Sequence, residues 1–139
     1  MSVRKGKLEY TFGLYLNADG QRILGKDEAE ILEALEEYHS ITAAAKKLQK
    51  SYKFTWNRIA RLTRSLHQPV VVTQRGTVRY ARRKGGGGTT LTTVARVLLK
   101  EFRETERFMQ QTLSSRQGPA VEFSERPRGE KSVGRRRLR

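Results

Sequence analysis

The chain has 139 residues, with 29 Lys and Arg against 14 Asp and Glu, for a net charge of +15 at neutral pH. That length suits one compact domain with tails, and the charge implies a polyanionic partner, because basic side chains release the counterions condensed on nucleic acid. There is no cysteine, which excludes disulfide frameworks, thiolate metal sites and cysteine nucleophiles; no apolar run approaches the roughly 20 residues of a membrane span, and "MSVRKGKLEY" lacks the apolar core of a secretory signal.

"LEYTFGLYLN" alternates, with Leu8, Tyr10, Phe12, Leu14 and Leu16 on one side, and predicts a half-buried strand. "NADG" follows as a turn. "GKDEAEILEALEEYHS" predicts a helix: Asp27 can cap it, Glu28 and Glu30 suit its positive end, and Ile31, Ala34, Leu35 and Tyr38 keep helical spacing. A second, short helix starts after Ser40, with Ile41, Ala44, Ala45 and Leu48 on one face; its alanines let another helix approach closely. "SYKFTWNRIARLTRSLHQ" makes a third helix, capped by Ser51. Tyr52, Thr55, Ile59, Leu62 and Leu66 share one face of it and Lys53, Asn57, Ala60, Arg61 and Arg64 the opposite one, with Trp56 and Arg58 on the borders. Pro69 ends that helix and "VVVTQ" reads as a strand.

"RRKGGGGTTLT" then poses a choice between a linker, a nucleotide loop and a polyanion grip. A linker does not fit between a strand and a helix of one domain. A nucleotide loop needs a Lys after its glycines, whereas Lys84 precedes them. A wing returning to the domain remains, with Thr89 or Thr90 capping a long fourth helix over residues 89–114. Leu91, Ala95, Leu98, Phe102, Met109 and Leu113 keep near-heptad spacing there, which points to a partner helix or to an intramolecular cover. From residue 115 the composition predicts a disordered basic tail.

Charge is unevenly placed along this order. Residues 1–40 sum to −3, and residues 41–88 hold 12 basic side chains and no carboxylate. Such clustering points to a nucleic-acid face rather than an ordinary solvated surface. A short Ala-rich helix bracing a longer one with a basic outer face has the layout of a helix-turn-helix. The fold class expected is mostly α with a small β-wing: a winged helix-turn-helix over 1–88, a dimerisation helix over 89–114 and the tail over 115–139.

Three ordered motifs carry a family resemblance: Ser40, Ile41, Ala44, Ala45 and Lys46; Ser51, Tyr52, Lys53 and Trp56; and Lys84 to Gly88 with Leu91 and Thr92. Together they resemble the N-terminal winged-helix domain of molybdate-responsive, ModE-type transcriptional regulators, which is similar to the LysR-type DNA-binding domain. The resemblance covers roughly residues 8–113. It implies an antiparallel homodimer through residues 91–113. The segment before the glycines is longer and more basic than the family pattern, so an enlarged wing is expected. No ligand-binding half is expected, and with it no oxyanion effector.

Ser51, Tyr52 and Lys53 begin the third helix and are best placed for base edges, while Arg61 and Arg64 suit phosphates. Asn57 can pair with adenine, and Trp56 can pack on sugar or a thymine methyl or simply close the helix border; Arg58 lies on the other border. Arg75, Arg79, Arg82, Arg83 and Lys84 can follow phosphates or enter a minor groove, against the alternative of a loose basic loop. His39 and His67 read as helix-end residues, not metal ligands, and the first helix's Glu30, Glu33, Glu36 and Glu37 as a solvated face. No enzyme, cofactor or metal is expected. Double-stranded DNA is the expected partner of a cytoplasmic, nucleoid-associated transcription regulator. An architectural chromatin protein of little sequence preference is the alternative. RNA binding is disfavoured for want of an RNP-type or KH-type motif.

Overall fold

The computed structural model describes residues 3–73 and 88–124. In chain order they form strands β1 (Val3–Lys5), β2 (Leu16–Ala18) and β3 (Gln21–Leu24), then helices α1 (Lys26–Tyr38), α2 (Ile41–Lys47) and α3 (Tyr52–Leu66). Strands β4 (Val71–Thr73) and β5 (Thr89–Leu91), helix α4 (Thr93–Ser114) and strand β6 (Glu122–Ser124) follow. The chain divides into two compact units, one of Phe12–Gln111 and one that joins Met1–Thr11 to Thr112–Arg139. No helix among the described residues is long and apolar enough to cross a membrane.

In the larger unit, Asp19 and Gly20 take φ of 50° and 77°. Two successive left-handed residues are what a tight two-residue hairpin requires, and glycine adopts the second without a Cβ penalty. The turn pairs β2 with β3 antiparallel, Leu16 opposite Leu24 and Ala18 opposite Gln21. The long strand expected from the alternation at Leu8–Leu16 is therefore reduced to Leu16–Ala18, and Leu8 and Tyr10 are 39% and 52% exposed. A strand persists only as far as a partner strand does, and β3, unforeseen in the sequence, is four residues long.

Helix α1 begins two residues earlier than a cap at Asp27 would place it. Gly25 is the N-cap, and the Glu28 carboxylate accepts its N–H at 2.9 Å. The Tyr15 ring packs so closely that a Cβ on Gly25 would lie 2.9 Å from it, and the Arg22 guanidinium stacks 3.5 Å above the same ring. Ser40 and Ser51 cap α2 and α3 as their sequence positions predict, accepting from Ala43 N–H at 3.2 Å and Phe54 N–H at 3.0 Å. Helices α1 and α3 both end on a left-handed histidine: His39 and His67, each at φ 53°, donate N–H to Leu35 and Arg64 carbonyls.

The three helices and β3 enclose a core in which Leu24, Ile31, Leu32, Leu35 and Val70 are fully buried. Strands β4 and β5 close one side of it as an antiparallel pair, Val71 opposite Leu91 and Thr73 opposite Thr89. Thr89 and Thr90 thus belong to a strand, and the helix cap is Thr92, whose Oγ1 accepts from Ala95 N–H at 3.4 Å and donates to the Pro69 carbonyl at 2.9 Å. β-Branched threonines facing a Val-rich strand favour the ladder over a first helical turn.

Helix α4 buries Ala95 and Phe102 in this core, with Leu98 and Leu99 partly buried against it. Its basic residues reach the acids of α1: Arg96 Nε lies 3.5 Å from Glu36 and Arg103 Nε 2.6 Å from Glu33. Glu33 and Glu36, expected on a solvated face, are therefore ion-paired. Burial opposes the charge on Arg103, but its hydrogen bonds to Glu33 and Glu106 outweigh that and hold its pKa above the ordinary value.

In the smaller unit, β1 pairs antiparallel with β6, Val3 opposite Ser124 and Lys5 opposite Glu122, and Arg116 stands 6.0 Å over the Tyr10 ring. The segment expected to be a disordered tail thus contains a strand at Glu122–Ser124; its last part, 125–139, lies outside the described residues.

Candidate nucleic-acid interface

The apolar stripe of α3 turns its opposite face outward. Thr55, Ile59 and Leu62 are buried, whereas Lys53, Trp56, Asn57, Arg61 and Arg64 are exposed along one side over three turns. Trp56 keeps 44% of its surface open. Tyr52, expected on the buried face, is 51% exposed, because the packed stripe begins one turn later at Thr55. Ser51 uses its hydroxyl as the helix cap and stands exposed at the same end.

Arg58 departs from this set. Its Nη1 donates to Glu28 Oε1 at 2.9 Å and its Nη2 lies 4.0 Å from Asp27, so its charge is committed to the start of α1. The five basic residues Arg75, Arg79, Arg82, Arg83 and Lys84 lie outside the described residues, 74–87. On either side of that segment, Thr73 and Thr89 face each other in the β4–β5 ladder.

Lys46, Lys47 and Lys50 are further basic residues, none of them assigned to DNA contact from the sequence. All three are exposed, at the end of α2 and in the turn that leads into α3. Their signal was available in the carboxylate-free stretch of residues 41–88. What was missing was the placement of the α2–α3 turn beside the first turn of α3. The combined surface carries lysine, arginine, asparagine and aromatic side chains with no carboxylate of its own helices, a composition that attracts phosphate and can also read polar base edges.

No family model matches the chain. Over 91 residues, 66% of the chain, it is 34% identical to the molybdenum transport protein ModE of Azotobacter vinelandii. The fold is a winged helix-turn-helix. The chain is also 31% identical over 103 residues, 74% of its length, to the molybdenum-pterin-binding protein MopB of Rhodobacter capsulatus. It covers 32% of the first relative and 36% of the second, so it spans about a third of their length. Among solved structures, a CbnR_DBD–DNA complex is 18% identical with a TM-score of 0.48, covering 64% of this chain and 90% of that one. ArgP from Mycobacterium tuberculosis is 23% identical with a TM-score of 0.47, covering 65% of this chain and 30% of that one.

Proposed function

We propose that this ModE-like chain binds double-stranded DNA as a transcription regulator. The observation that carries the reading is the outward face of α3, where Lys53, Trp56, Asn57, Arg61 and Arg64 stand exposed in a stretch of 48 residues, 41–88, that holds no carboxylate. Helix α3 lies in the major groove, whose width admits one helix, with Ser51, Tyr52, Lys53 and Asn57 toward base edges and Arg61 and Arg64 toward phosphates. Lys46, Lys47 and Lys50 add phosphate contacts beside the helix entry. The segment between β4 and β5, with Arg75, Arg79, Arg82, Arg83 and Lys84, follows the backbone or enters the neighbouring minor groove.

The dimer belongs to the same proposal, with a changed seam. Leu91, Ala95 and Phe102 are buried within one protomer and are not available to a second. Val97 and Phe108 are 53% and 67% exposed, and their spacing of 11 residues returns them to one face of α4 after three turns. That stripe, with the half-buried Leu98 and Met109 beside it, is the face offered to a second copy.

A coating protein of little sequence preference is the second reading, supported by the net charge of +15. Titrating one random duplex and one duplex selected from a random pool, across a range of salt, separates the two. A regulator of this kind prefers its selected site by about 10³ or more. A ratio near one sinks the regulator and leaves the architectural protein.

A further inference from the structure

Glu28 uses its two carboxylate oxygens on two different helices. Oε2 accepts the Gly25 N–H that opens α1, and Oε1 accepts from Arg58 Nη1 in the middle of α3, both at 2.9 Å. The carboxylate side chain is only 13% exposed, and Arg58 is 33% exposed. The guanidinium also stands 4.9 Å over the Phe54 ring, with Lys50 Nζ 5.3 Å over that ring as well, and Asp27 stands 4.0 Å from its second nitrogen. Arg58 is thus fixed between the first turn of α1 and an aromatic ring of its own helix. A half-buried, hydrogen-bonded ion pair of this kind holds geometry better than an exposed one.

We infer that Glu28 is a positioning residue for sequence recognition, acting through Arg58. The link fixes the rotation of α3 about its axis relative to α1, and hence where Lys53, Asn57 and Arg61 point. It also keeps the Arg58 charge away from phosphate. Base-edge hydrogen bonds demand tight distance and angle, whereas attraction to phosphate tolerates displacement. Loosening the link therefore costs selectivity before it costs affinity. This inference rests on the DNA-binding reading above.

Glu28→Gln isolates the effect, because the glutamine carbonyl still accepts the Gly25 N–H while its amide cannot accept from Arg58. In the full chain, below the melting temperature of every variant, the affinity ratio between the selected and a random duplex falls about tenfold, with binding to the random duplex unchanged. Arg58→Gln gives the same fall, and the double variant falls no further, since both changes break one link. A merely structural role lowers the melting temperature and scales both affinities together, leaving the ratio where it was. An unchanged ratio in Glu28→Gln overturns the inference, as does tighter binding to both duplexes by one factor, which would mean that the released Arg58 simply adds a phosphate contact. Failure of the underlying reading shows separately, as a ratio near one in the unsubstituted protein.

Discussion

At the residue scale the fold depends on local hydrogen bonds that small polar side chains supply. Ser51 caps α3 through Phe54 N–H, and its hydroxyl also secures the end of the helix that carries the exposed basic face. Ser51→Ala is expected to lower unfolding free energy by about 1 kcal/mol in urea titration, since the first-turn donor loses its partner. The opposite change is available at the far end. His67 holds φ 53° at an exposed position, a conformation that costs an L-residue roughly 1 kcal/mol and glycine almost nothing. His67→Gly is accordingly expected to stabilise the protein by a few tenths to about 1 kcal/mol in the same titration, part of the gain being offset by the greater freedom of glycine in the unfolded chain. A loss of stability would show that the imidazole itself contributes there.

At the scale of elements, helix α4 divides its apolar residues between two duties. Ala95 and Phe102 close the core, and Arg96 and Arg103 tie the helix to Glu36 and Glu33 of α1. Val97 and Phe108 are exposed on another side of the helix, the stripe proposed to meet a second copy. Val97→Glu with Phe108→Glu is expected to convert a dimer to a folded monomer in sedimentation equilibrium, because four carboxylates would then face one another across the seam. A dimer surviving both substitutions would move the interface off this stripe.

At the scale of the whole molecule, basic charge is concentrated in residues 41–88, which include α2 and α3, while Glu28, Glu36 and Glu33 of α1 are ion-paired with Arg58, Arg96 and Arg103. Replacing Arg82, Arg83 and Lys84 together by Ala is expected to weaken binding to all duplexes alike and to reduce the slope of log affinity against log salt by up to about 3. An unchanged slope would remove that segment from the contact surface, and the exposed side of α3 with Lys46, Lys47 and Lys50 would then account for the binding.

The helices were legible in the sequence because their causes are local. Ser40 and Ser51 act on donors three residues away, and the buried faces of α1, α2 and α3 follow from 3.6-residue spacing, except at Tyr38 and Tyr52, which stand exposed near helix ends. The carboxylate-free stretch was likewise a property of the sequence, and it pointed to α3 before any coordinate did. The strands were not legible in the same way. Leu8 to Leu16 alternate as a strand should, yet only Leu16–Ala18 finds a partner, and Thr89–Leu91 is a strand because Val71–Thr73 lies beside it. Strand pairing joins residues distant in the chain, and no local pattern states which partner exists or where it ends. The state of each charge was decided the same way. In the sequence Arg58 is one more arginine on a basic helix; only the packing of α1 against α3 brings it to Glu28, and that contact separates the residue that holds the surface in place from those that stand on it.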